Sequence, residues 1–120
     1  MKANVYSREC PSQNILALIG SKWSMLILCS LREGPRRTHA IKRRLQGVSS
    51  KMLTQTLREL VRHGIVERHD FGEVPPRVEY RLTAIGRSLA ELVADIEAWV
   101  TTHYTRLSSA ARIHDARSAN

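Results

Sequence analysis

Lys51, Thr54, Gln55, Arg58 and Arg62 follow one another at spacings that set them on one face of a helix. Leu53, Leu57, Leu60 and Val61 recur at the same period and form an apolar stripe on the opposite side. Such a helix buries one side and offers donors, acceptors and positive charge on the other. Arginine can pair with the guanine edge and glutamine with the adenine edge, while hydroxyls reach bases or phosphates, so the chemistry on offer is the reading of a DNA major groove. Ser49 is placed to cap this helix with its hydroxyl, Ser50 adds a second hydroxyl in the opening turn, and His63-Gly64 is the matching stop. An ordinary solvated amphipathic helix would show the same pattern, so the helix alone does not decide between the two readings.

The distribution of charge favours the first. The formal net charge is +8 and the sequence pI about 10.3, which suits an acidic polymer as partner. Nine Lys or Arg lie between Arg36 and Arg68 against Glu59 and Glu67, and nine minus two leaves +7 in that segment. The remaining ten basic and nine acidic residues leave only +1. Arg36, Arg37 and Arg44 therefore join Ser49, Ser50, Lys51, Thr54, Gln55 and Arg58 as candidate DNA contacts. Enzymatic chemistry is excluded on motif grounds. There is no glycine-rich phosphate loop, no nucleophile elbow and no pair of carboxylates in an apolar setting. The histidines are scattered at spacings that form no metal cluster, and no cofactor or metal is implied.

The elements that must position the basic helix can be read in order. A chain of 120 residues, 42% hydrophobic and 25% charged, is a single globular domain. Residues 1–9 lack periodicity and read as a flexible arm, residues 10–107 as the folded domain, and residues 108–120 as a disordered Ala/Ser/Arg-rich tail. A first helix opens at Cys10-Pro11-Ser12 and stops at Gly20. A second carries Trp23, Leu26, Ile27 and Leu31 as its core stripe and ends at Gly34-Pro35. A third runs from about Thr38 to Leu45, and Gln46-Gly47-Val48 turns tightly into the serine-capped helix. Helix, glycine-containing turn, helix is the helix-turn-helix pattern. After Gly64 the period changes to two: Ile65–His69 and Val78–Leu82 alternate as strands, and the prolines between them cannot continue a ladder. The result is a two-stranded wing with Arg77 near its tip, either a contact to phosphate or minor groove or a solvated loop arginine.

Thr83 caps a last helix expected over Ile85–Leu107. Ile85, Leu89, Leu92, Ile96, Trp99 and His103 follow a heptad-like seam along it, widened by Val93 and Val100. Leu89, Leu92, Ile96, Trp99 and His103 are the candidate dimer interface, since paired readers bind two half-sites; folding back on the same domain is the alternative. The fold class is thus α+β, mainly α: a winged helix-turn-helix with a two-stranded wing and a long C-terminal dimerisation helix. The longest apolar stretch, Trp23 to Leu31, is too short to span a bilayer, so a cytoplasmic protein with no membrane partner is expected.

These runs resemble the HxlR family of bacterial winged-helix regulators, which share their architecture with MarR-type regulators. The match is carried by Cys10-Pro11, I-G-S-K-W-S-M-L-I-L at Ile19 to Leu28, G-P-R-R at Gly34 to Arg37, and G-V-S-S-K-M-L-T-Q-T-L-R-E-L at Gly47 to Leu60. It continues through G-I-V-E-R at Gly64 to Arg68 and V-P-P-R-V-E-Y-R-L-T at Val74 to Thr83. Thr38 departs from the bulky residue usual after the paired arginines. The resemblance implies a homodimer on a pseudo-palindromic double-stranded operator, with each recognition helix in a major groove and each wing toward the flanking minor groove. A repressor role is expected, and the resemblance also implies a redox- or electrophile-sensing Cys10, with a small electrophile or oxidant as effector. Physical chemistry permits the latter, because a thiol just before a helix N-terminus, near Arg8 and Lys22, is favoured as thiolate, though Glu9 opposes this. An inert thiol remains the alternative, and Cys29, inside an apolar run, reads as a small core residue. The competing functions are a ligand-gated or unregulated winged-helix DNA binder and a winged-helix protein-interaction module.

Overall fold

The computed structural model describes residues 2–119. Its elements in chain order are α1 (Ser12–Ile19), α2 (Lys22–Leu31), α3 (Thr38–Arg44), α4 (Ser50–Arg62), β1 (Val66–Asp70), β2 (Val78–Leu82) and α5 (Ala84–Ser118). Local signals set the boundaries. Ser21 opens α2 by accepting a hydrogen bond from the Ser24 N–H, and Ser49 opens α4 by accepting one from the Met52 N–H at 3.0 Å. At the end of α4, Gly64 takes a φ of +71°, and the Ile65 N–H returns to the Leu60 carbonyl at 3.0 Å.

One core holds these pieces together. Ile27, Leu28 and Leu31 of α2 meet Ile41 of α3, Leu53, Leu57 and Leu60 of α4, Val66 and Leu82 of the wing, and Ala90 and Val93 of α5. The stripe of α2 differs from the expected one by a single position. Leu28 is buried, whereas Leu26 is 39% exposed and turns toward α5. β1 and β2 pair antiparallel from Val66↔Leu82 to Asp70↔Val78, and Arg36 adds a short bridge to Tyr80 through both backbone bonds.

Thr83 is the joint between wing and α5. Its hydroxyl accepts the Gly86 N–H at 3.1 Å while donating toward the carbonyls of Gly64 (2.6 Å) and Ile65 (3.0 Å). Gly86 lies so close to the Ile65 backbone that a Cβ there would sit 2.0 Å from the Ile65 carbonyl oxygen. The absence of a side chain at Gly86 therefore lets α5 start directly against the end of α4.

Two expectations about the chain ends are corrected. Residues 108–118 are helical and continue α5 to Ser118, instead of forming a disordered tail. Alanine and arginine are among the best helix formers, and no glycine or proline interrupts the segment, so a helix already nucleated over Ala84–Leu107 propagates through it. The arm, too, is folded over its described residues. Ser7 N–H bonds to the Asn4 carbonyl, Cys10 N–H to the Ser7 carbonyl, and the Gln13 side chain donates to the Val5 carbonyl. Consecutive turns of this kind have no apolar period, which is why the sequence pattern does not reveal them. No single described helix is long and apolar enough to cross a membrane.

Candidate nucleic-acid interface

α4 turns Leu53, Thr56, Leu57 and Leu60 inward, with the Thr56 hydroxyl donating to the Met52 carbonyl at 2.8 Å. The remaining face presents Ser50, Lys51, Thr54, Gln55 and Arg58 together on one open surface. Lys51 and Arg58 are exposed and form no ion pair among the described residues. Glu59, the acid on this helix, is held by Arg62 at 3.1 Å, so its charge is offset locally. Lys42 of α3 donates to the Ser50 hydroxyl at 2.7 Å and fixes the opening turn of α4 against the preceding helix.

Beside this face the wing contributes a residue that pattern reading passed over. Arg68 of β1 is exposed and lines a groove of about 330 Å³ with Thr54, Arg58, Val61 and Tyr80. By period-two alternation it shares the face of Val66, and it is exposed because β1 runs past the core after Val66, opposite Tyr80 of β2.

Three sequence-selected arginines are engaged elsewhere. Arg36 donates to the Ser30 carbonyl at 2.7 Å and to Glu33. Arg44 pairs with the same Glu33 at 2.7 Å and lines a recess toward α5, away from the open face of α4. Arg44 ties α3, and Arg36 the loop before it, to the turn after α2, and Glu33 is lowered from its ordinary value by Arg44 first and Arg36 second. Arg77 folds over the Phe71 ring at 4.2 Å and pairs with Glu79 at 3.0 Å, bracing the base of the wing tip. Arg37 stays exposed at the start of α3, outside these pairs.

Cys10 is half-buried at the entry to α1. The Asn4 backbone N–H donates to its sulfur at 3.4 Å and the Ser12 hydroxyl lies at 3.1 Å. These contacts, Asn4 foremost, lower the thiol below its ordinary value. The groups that lower it are thus Asn4, brought in by the folded arm, and Ser12 at the start of α1, in place of Arg8 and Lys22. Cys29 behaves oppositely: burial first, then the Glu97 carboxylate, push its thiol up to about 11.

Along α5 the seam separates into two kinds of residue. Leu92 is 62% exposed, Ile96 49% and Trp99 53%, and they form a continuous apolar line that their own domain covers only in part. Tyr104, Leu107 and Ile113 add further exposed apolar surface beyond it. Leu89 packs against the protomer's own core, and His103 is tied to Trp99 by ring stacking at 4.5 Å and by the Trp99 carbonyl at 2.8 Å.

A three-helix body with a serine-capped, basic fourth helix and a two-stranded wing defines a winged helix-turn-helix transcriptional regulator, a DNA-binding protein and not an enzyme. The chain belongs to the HxlR-like helix-turn-helix family, which it matches over residues 18–108. It is 37% identical to the HTH-type transcriptional regulator YtfH of Escherichia coli K12 over 98% of this chain and 91% of that one. Among solved structures, the transcriptional regulator ytfH of Salmonella typhimurium superposes with a TM-score of 0.87 at 34% identity, covering 92% of this chain and 99% of the other. The redox regulator HypR in its oxidized form superposes with a TM-score of 0.71 at 36% identity, covering 78% and 96% respectively.

Proposed function

We propose that this regulator is a cytoplasmic homodimeric repressor that reads a pseudo-palindromic operator through α4. The observation that carries the proposal is the open face of α4, on which Lys51, Thr54, Gln55 and Arg58 stand together, exposed and unengaged, while neighbouring arginines are consumed by Glu33 and Glu79. Arg58 and Gln55 are the base readers, to guanine and adenine edges respectively. Lys51, Ser49, Ser50, Thr54, Arg37 and Arg68 hold the phosphates and set the register. Arg36, Arg44 and Arg77 shape the reader and the wing. The exposed Leu92, Ile96 and Trp99 line would bury itself against a second copy, with two-fold symmetry matching that of the operator.

Cys10 is the sensor in this reading. Its lowered thiol and its hydrogen bond to the folded arm support the role, as does the likeness to a redox regulator solved in an oxidized form. Oxidation or alkylation of Cys10 would break the Asn4 contact and release the arm beside α1, biasing the spacing of the two readers.

Selection of bound sequences from a random duplex pool tests the reader. An inverted repeat with half-sites about 34–36 Å apart is expected. Recovery of a single unpaired half-site, or no enrichment, would overturn it. Cys10→Ser should bind the selected site normally and ignore diamide, while Cys29→Ser remains responsive. Release of Cys10→Ser at the wild-type dose of diamide would remove Cys10 as the switch.

A further inference from the structure

The wing carries charge of both signs, divided along its length. Between Val66 and Leu82 there are four carboxylates against three arginines, in contrast to the basic face of α4 beside it. At the root of the hairpin, Arg68 is exposed, forms no ion pair among the described residues, and lines the groove it shares with Thr54 and Arg58. The other two arginines are engaged. Arg77 pairs with Glu79 at 3.0 Å and covers the Phe71 ring, and Arg81 lies 4.0 Å from Glu67 across the strands. Asp70 and Glu73 are both exposed, and neither has a cationic partner among the described residues. The root of the wing is therefore positive and its projecting end negative.

The backbone of the tip is as poorly suited to a phosphate as its side chains. Phe71–Pro76 holds no Lys or Arg, and Pro75 and Pro76 have no N–H to donate. The Phe71 N–H is taken by the Arg77 carbonyl at 3.0 Å, and the Gly72 N–H by the Asp70 carboxylate at 2.9 Å. Val74, at the end of the projection, is apolar and 97% exposed. A minor groove is about 6 Å wide, shows base acceptors between two phosphate strands, and draws in cations such as arginine. The field that attracts Arg68 to a duplex therefore repels Asp70 and Glu73.

We propose that Asp70 and Glu73 are specificity-determining residues that act by repulsion: they hold the wing tip out of the minor groove and weaken sequence-independent binding. Complexes with random sequence draw essentially all of their stability from phosphate neutralisation, so a carboxylate facing the backbone takes a large share of it. Such complexes sample many orientations, and those that press the tip against phosphates are the ones excluded. A seated α4 instead fixes the tip at one distance from the duplex and adds base contacts that the tip charge leaves untouched. Discrimination then comes from a repulsive element as well as an attractive one. This inference rests on the proposed seating of α4 in a major groove, which sets the wing beside the duplex.

The double substitution Asp70→Asn with Glu73→Gln tests the idea on the full chain. An asparagine oxygen can still accept the Gly72 N–H, and position 73 is exposed, so the hairpin is kept. Fluorescence anisotropy against a random-sequence duplex and the selected operator should be run from about 0.05 to 0.5 M salt. At low salt the variant should bind the random duplex about tenfold more tightly and the operator about threefold or less, so the ratio of the two affinities falls. Both gains should close at the highest salt, where exposed charges are screened. Unchanged or weaker binding to the random duplex, an equal gain on both duplexes, or a gain that survives high salt would each overturn the proposal. Arg77→Gln with Glu79→Gln removes the ion pair without changing net charge and should leave both affinities within about twofold. A tenfold loss there would make Arg77 a duplex contact and overturn the account of the tip. A chain that binds DNA yet selects no operator refutes the α4 reader, while the random-duplex titration still decides the repulsion.

Discussion

Leu92→Asp offers a clean perturbation of assembly, because the side chain is 62% exposed and contributes little to its own domain. Full burial of a leucine stabilises by about 1.5–3 kcal/mol, so covering the exposed part of Leu92 in a dimer is worth roughly 1–2 kcal/mol per protomer. Two-fold symmetry places both copies in the same interface and doubles that loss to roughly 2–4 kcal/mol. Two aspartates at the seam add the cost of burying unpaired carboxylates, about 3–5 kcal/mol for a broken buried pair and at least a similar order here. The total exceeds about 5 kcal/mol, more than a thousandfold in dimer dissociation constant. Sedimentation equilibrium at micromolar concentration should show a wild-type dimer and a Leu92→Asp monomer with the same helix content. Operator affinity should fall with the dimer. A Leu92→Asp protein that stays dimeric at that concentration would refute the seam, and a monomeric wild type would refute the assembly.

Other outcomes follow from single contacts. Gly86→Ala drives a Cβ to 2.0 Å from the Ile65 carbonyl and should cost about 2–3 kcal/mol, read as a fall in Tm of the order of 10 °C. Thr83→Ala removes the cap of α5 and its ties to Gly64 and Ile65, and should cost about 1–2 kcal/mol in urea unfolding. For the thiols the sign is set by thiolate fraction, which rises with pH. Cys10, lowered by Asn4 and Ser12, should be alkylated by iodoacetamide at lower pH than an ordinary thiol, and Cys29, pushed up to about 11, should stay unmodified at pH 8. Mass spectrometry of the labelled chain reads both, and prior labelling of Cys29 would contradict the assignment.

The reader helix was legible in the sequence because three independent signals coincide there: the Ser49 cap, the Gly64 stop and a period of 3.6 with charge on one side. The wing was legible from the change of period after Gly64. The fate of individual arginines was not, because net charge says how many cations a segment carries and nothing of which ones meet a carboxylate. Arg36 and Arg44 both converge on Glu33, which lies in the turn after α2, and only the packing of α3 on α2 brings them together. Arg68 was missed for the converse reason, since it lies on a strand and reaches the α4 face only through the hairpin. The end of α5 was not legible, because an apolar seam marks only the part of a helix with something to bury, whereas good helix formers carry α5 past the seam to Ser118. The Cys10 donors depend on turns in residues 4–10, where no periodic signal exists to read.

The central claim is that α4 reads bases through Arg58 while Lys51 supplies only phosphate contact. Sequence-preference profiles and salt titrations of wild type, Arg58→Ala and Lys51→Ala on the selected operator test it together. Arg58→Ala should lose about 1–3 kcal/mol on the preferred sequence and become indifferent at one symmetric base position in each half-site. Lys51→Ala should keep the wild-type profile, weaken binding to all sequences alike, and make the slope of log affinity against log salt shallower by about one per protomer. An Arg58→Ala profile indistinguishable from wild type, with affinity lost uniformly, would contradict the assignment of α4 as the base reader.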